Sequence, residues 1–90
     1  MKKFEFQIQI NLKDGILDTQ AIATDKVLKR KKIYLENISF GKIINISLEE
    51  ENFEIAYKKI EDISHNLLSN PVLENFKIIP INSEVKQWKN

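Results

Sequence analysis

The sequence predicts an α/β protein of the α+β type, a single domain built as a two-layer sandwich of order β-α-β-β-α-β. Three observations predict it. Residues 4–12 alternate apolar and polar side chains without a break. Residues 53–68 return to an apolar side chain every three or four positions. The 90-residue chain contains no linker-like stretch that would divide it. The domain is placed at residues 1–81, followed by a polar C-terminal tail, 82–90.

The first element is the clearest. Phe4, Phe6, Ile8, Ile10 and Leu12 alternate with Glu5, Gln7, Gln9 and Asn11, so a strand here buries one face and wets the other. Lys13-Asp14-Gly15 breaks the period and reads as a turn. Asp18 then precedes TQAIATDKVLKRKK. A carboxylate in that place accepts from the first free amides of a helix, which makes Asp18 an N-cap. Ala21, Ile22, Val27 and Leu28 share the inward face of this helix, and Lys26, Lys29 and Arg30 point outward. The cations Lys29 to Lys32 complement the negative end of the helix dipole.

Ile33 to Phe40 is β-branched and partly aromatic, and reads as a second strand. Lys42 to Leu48 reads as a third, with Ile44, Ile46 and Leu48 on one side. Gly41 lies between them, either where two antiparallel strands meet or at a bulge in one long strand. Glu49-Glu50-Glu51-Asn52 opens a second helix, with acids at the positive end of its dipole. Its apolar face carries Phe53, Ala56, Tyr57, Ile60, Ile63, Leu67 and Leu68, and Lys58, Glu61, Asp62 and His65 lie opposite. Pro71 ends this helix by Ser69 or Asn70, because the residue before a proline is driven to extended backbone. Phe76 to Ile81 is the last strand, with Pro80 marking its end or an edge. A four-stranded antiparallel sheet with both helices on one face buries these patterns together, which is the ferredoxin-like arrangement.

The function classes narrow by chemistry. A net charge of +1 lacks the basic excess of an electrostatic nucleic-acid binder. Phe4 and Phe6 lie on the face the helices cover, and Glu5, Gln7, Gln9 and Asn11 make a poor stacking platform. No apolar run approaches a membrane span, and polar residues interrupt MKKFEFQIQI too often for a signal peptide. The expectation is therefore a cytoplasmic protein that binds neither nucleic acid nor membrane. With no cysteine, disulfides, thiolate metal sites and a cysteine nucleophile are excluded.

His65 is the sole histidine, with only Glu61 and Asp62 near it, and a catalyst needs converging partners. It reads as a surface residue. The acids Glu49 to Glu51 are explained by the helix dipole without a metal. The run Lys29 to Lys32 has no Gly-rich loop or aromatic stacking motif beside it and reads as a solvated helix end. No catalytic residue, metal ligand or cofactor site is assigned to this chain. Trp88, in an otherwise polar tail, is a candidate anchor on a partner. A chain of this size leaves roughly a third or more of its surface wet and builds a thin core, which favours association with copies or partners.

Three segments carry a family resemblance. They are Asn11 to Asp18 followed by Gln20 and Ala23; Ile38-Ser39-Phe40-Gly41-Lys42 entering a strand; and Leu67-Leu68-Ser69-Asn70-Pro71-Val72-Leu73-Glu74-Asn75-Phe76. In this order they resemble the PurS family, the small subunit of phosphoribosylformylglycinamidine (FGAM) synthase, over residues 3 to 81. The sequence departs from the family pattern at four places. Thr19 stands where the family commonly has Pro, and Ala21 where it has Gly. Ser39-Phe40 replaces a basic residue before Gly41-Lys42, and no Gly follows the first helix between Lys29 and Ile33.

The resemblance implies a non-catalytic structural subunit of an ATP- and glutamine-dependent ligase complex in purine biosynthesis. It implies a homodimer or tetramer that bridges a synthetase subunit (PurL) and a glutaminase subunit (PurQ) and supports ammonia transfer between them. ATP and Mg then belong to the synthetase partner. The partner-facing residues it suggests are Asp18, Gly41, Lys42, Asn70, Pro71, Val72 and Trp88. The competing expectation is a stand-alone ferredoxin-like module that binds a small regulatory ligand between paired domains.

Overall fold

The structure is a computed structural model that describes residues 1–81; the tail, with Trp88, lies outside the described residues. The elements run β1 (Lys2–Leu12), α1 (Thr19–Arg30), β2 (Gly41–Glu50), α2 (Phe53–Ile63), a π-helical turn (Ser64–Leu68) and β3 (Glu74–Ile81). The three strands form one antiparallel sheet of order β2-β1-β3. Phe6 lies opposite Ile46 and Pro80, and Ile8 opposite Ile44 and Ile78.

The alternation in β1 determines the core. Phe6, Ile8 and Ile10 are buried, together with Ala56 and Ile60 of α2. Each large side chain removed from water here contributes about 1.5–3 kcal/mol. Phe53 extends the contact at the start of α2, its ring centroid 6.1 Å from that of Phe4 and 5.8 Å from that of Phe6. Such edge-on and tilted ring pairs add to simple burial. The opposite face of β1 is polar. There Gln9 donates to Gln7 at 3.2 Å and Gln7 to Asn45 at 3.4 Å.

Three expectations need correction. The first concerns the strand count: the described residues contain three strands, not four, because residues 33–40 are irregular. The amides at both ends of that segment are diverted from any ladder. The Ile33 N–H donates to the Leu28 carbonyl, and the Phe40 N–H to a carboxylate oxygen of Asp18. Gly41 therefore begins β2 and does not separate two strands.

The second concerns α1, which forms no substantial packing interface with the sheet. Of its residues only Ala21 is buried. Ile22 and Val27 are 42% and 41% exposed, so half of the expected inward face is open. The inward line is Ala21 and half-buried Leu28, seven residues or two turns apart.

The third concerns the start of α2. Glu49 and Glu50 finish β2, facing Lys3 and Lys2 across the ladder, a favourable cross-strand charge pairing. Glu50 is buried and ion-paired with Lys59 of α2. The N-cap is Asn52, whose side chain accepts from the Ile55 N–H at 2.9 Å, and Glu54 is the one acid in the first turn. At the other end, the helix stops at Leu68 with Ser69 extended, within the limit that Pro71 sets at Asn70. The π turn carries an extra residue per turn. It brings Leu68 to the core and leaves Leu67 77% exposed.

The C-terminus of α1 holds a further departure. The Ile33 N–H donates to Leu28 and the Lys32 N–H to Lys29, both at 2.9 Å, which is the Schellman pattern. This places Lys32 in the left-handed region, at φ 64°, where a side chain costs about 1–2 kcal/mol and glycine does not. It is also the stretch where the family resemblance expects a glycine. Lys32→Gly is expected to raise stability by about 1 kcal/mol, a rise of about 4–8 °C in a thermal melt of a domain this small. A lower melting temperature would show that the cap is not held this way.

Candidate partner interface

One end of the sheet gathers most of the residues singled out in the sequence. It is the end where β1 finishes and β2 and β3 begin, with Asn11 opposite Gly41 and Leu12 opposite Glu74. Asp18, Phe40, Gly41, Lys42 and Glu74 line a shallow cleft there beside Ile10 and Leu12.

Asp18 does more than cap a helix. One carboxylate oxygen accepts from the Ala21 N–H at 3.0 Å and the other from the Phe40 N–H at 2.9 Å. One side chain thus holds both the start of α1 and a backbone amide 22 residues further along the chain. Because α1 packs little against the sheet, this carboxylate is a main determinant of where the helix stands. Inside α1, Asp25 and Lys29 form an i,i+4 ion pair at 2.9 Å. Its side-chain hydrogen bond raises the Lys29 ammonium pKa above its usual value.

Gly41 is required by close approach. A Cβ there would meet Asn11 Oδ1 and lie 2.8 Å from the Ile10 carbonyl oxygen. Lys42 is largely exposed and reaches Glu74 at 3.6 Å. The Ser39-Phe40 pair, which replaces the expected basic residue, is exposed, and the Phe40 amide is held by Asp18.

Asn70, Pro71 and Val72 form the turn into β3. The Asn70 side chain accepts from the Val72 N–H at 3.0 Å, and its carbonyl accepts from Leu73 and Glu74 at 3.0 and 2.7 Å. Its own N–H donates to Glu74 Oε1 at 2.7 Å. Glu74 therefore ties the turn to Lys42, and so brings Asp18, Gly41, Lys42 and Asn70 into one connected patch. Glu74 stands in the third resembling segment but was not among the partner-facing residues. Apart from that segment, its sequence signal is an acid four residues after Asn70, a spacing with no general meaning outside this turn.

His65 is exposed and hydrogen-bonded to its neighbour Asn66 at 3.0 Å. Among the described residues no group of three or more His, Asp or Glu side chains is placed to hold a metal ion, and no helix is long and apolar enough to cross a membrane. A second exposed surface lies along α1, where Leu17 just before the helix and Ile22, Ala23 and Val27 on it make an apolar strip edged by Lys26 and Arg30.

These features define a thin α+β domain whose polar contacts fasten one sheet end and whose apolar surface is only partly covered. The chain belongs to the PurS family, "Phosphoribosylformylglycinamidine (FGAM) synthase", whose model matches residues 5–81. It is 29% identical to the FGAM synthase subunit PurS of Thermotoga maritima, over 87% of this chain and 96% of that protein. It is 31% identical to the PurS subunit of Archaeoglobus fulgidus, over 80% of this chain and 91% of the relative. Among solved structures it is similar to a chain in the structure of PurLQS from Thermotoga maritima. The TM-score is 0.81 and the identity 28%, covering 90% of this chain and all of that one.

Asp18→Ala is expected to lower stability by about 2 kcal/mol, since it removes a helix cap together with the tether on Phe40. Asp18→Asn keeps one carbonyl acceptor and should lose less. Equal melting of Asp18→Ala and the parent chain would remove the tether from the account.

Proposed function

We propose that the chain is the non-catalytic, structural PurS subunit of an FGAM synthase in purine biosynthesis, bridging the synthetase (PurL) and glutaminase (PurQ) subunits and supporting ammonia transfer. The observation that supports this most is the likeness to a chain of the PurLQS structure over that chain's whole length. The physical character of the domain agrees with it. A sheet covered by one helix, with an open apolar strip on the other, is suited to burying surface against other chains.

In this reading residues 1–81 are the working unit, the complex is cytoplasmic, and ATP and Mg act on the synthetase subunit. The chain associates as a homodimer or tetramer, and a second copy supplies cover that a complete ferredoxin-like sandwich would draw from its own fourth strand. Asp18, Gly41, Lys42, Asn70, Pro71 and Val72 form the face presented to partners, with Trp88 of the tail as a further anchor. No observation favours the small-ligand regulatory module.

The test is amidine formation by the cognate synthetase and glutaminase with and without this chain. Glutamine-dependent turnover should require the chain, and ammonia-dependent turnover of the synthetase should survive its omission. Glutamine-dependent turnover that is unchanged by omission would overturn the proposal.

A further inference from the structure

We infer that the open edge of β2 is where two copies of this chain join, strand to strand and antiparallel, about a two-fold axis at Ile46. The inference rests on the self-association in the subunit reading and adds to it the surface and the register.

β2 lies at the edge of the sheet, whose order is β2-β1-β3. Its residues pair with β1 on one side. On the other side, among the described residues, its backbone groups take part in no hydrogen bond. A long apolar edge of this kind is a template for another strand unless it is guarded. The usual guards are missing, because residues 43–48 hold neither a charge nor a proline. β3, the other edge, is guarded: Pro80 has no N–H to offer and Lys77 stands exposed in the middle. The chain's own candidate for the β2 edge was the segment that leads into it, since consecutive antiparallel strands are usually neighbours. That segment, 33–40, is irregular, and the edge stays open.

The occupant that fits is β2 of a second copy. Ile44, Ile46 and Leu48 pack half-buried against the core, and Asn45 and Ser47 are exposed on the other face. Residues directly opposite in an antiparallel pair share a face. With Ile46 opposite its twin, Ile44 meets Leu48 on the core side and Asn45 meets Ser47 on the wet side. Lys42 then stands opposite Glu50 at both ends, a favourable pairing of opposite charges. A slip of two residues one way sets Lys42 against Leu48, and the other way sets Ile44 against Glu50. Apolar and charge matching therefore select the same register. An axis normal to the sheet keeps both α2 helices on one face, so each half-covered row of isoleucines and leucine closes on its twin.

The chain has no cysteine, which makes the register directly testable by cross-linking in the full-length chain. Asn45→Cys and Ser47→Cys are prepared separately, both at exposed positions, and oxidised mildly, alone and mixed. Opposite residues lie about 4.5–5.5 Å apart at Cα, within disulfide range, and diagonal ones beyond the limit of about 7 Å. The mixture should give at least about fivefold more disulfide-linked dimer than either variant alone. Sedimentation equilibrium of the double variant Asn45→Lys/Ser47→Lys, with circular dichroism to check its fold, completes the test. Lysines then face lysines twice, and the dimer dissociation constant should rise about tenfold while the fold stays as in the parent.

No excess of cross-linked dimer in the mixture overturns the register. Parent-like association of a folded double-lysine variant overturns the edge as the joining surface, and leaves standing a subunit that associates elsewhere. A parent chain that is monomeric throughout overturns the self-association in the subunit reading, and the inference with it.

Discussion

The burial of β1 against α2 is the interaction on which the rest of the structure depends. Phe6, Ile8 and Ile10 on the central strand meet Ala56 and Ile60 on one helix. The two outer strands take their register from this strand, and a one-residue slip would turn its apolar set to water. Everything beyond that contact is held by other means. α1 is placed largely by a carboxylate and a buried alanine, the β2–α2 junction by the Glu50–Lys59 pair and the Asn52 cap, and the turn into β3 by Asn70 and Glu74. The protein is a small apolar centre with polar fastenings around it.

That division has a consequence for function. Polar fastenings hold short segments in fixed shapes without needing a thick core, and they leave apolar side chains on the outside. Leu17 just before α1, Ile22 and Val27 on it, and Leu67 and Val72 around the second helix end, are all substantially exposed. Scattered single cases are ordinary, but a strip along one helix is the usual mark of an interaction surface. A subunit of a larger complex needs such surfaces more than it needs an enclosed site.

The sequence made the local period and the chain breaks legible, and left the competition between them hidden. The alternation of Phe4 to Leu12 gave β1 and its buried face. Asp18 as a cap and Pro71 as a helix stop were readable because each acts on its immediate neighbours. The segment 33–40 misled because strand propensity says nothing about where its amides go, and those at its two ends were already taken by Leu28 and Asp18. The acids Glu49 to Glu51 suited a helix start, but the pairing of Lys2 and Lys3 across β1 extended β2 over two of them. Leu67 fell on the expected apolar face only until a π turn shifted the phase. Lys32 gave no sign of its left-handed backbone, since a lysine rarely stands where glycine is preferred. Glu74 was missed because its role exists only once the turn has formed.

This protomer exposes apolar surface along α1 that association with another chain would cover. Sedimentation equilibrium of the isolated chain over a range of micromolar concentrations tests it most directly, because it needs no partner and no assay. The expected mass is at least twice the 10.6 kDa of one chain, with dissociation on dilution if the surface is of modest area. A monodisperse monomer at every concentration would contradict it, since the strip on α1 would then be left in water with no second copy to cover it.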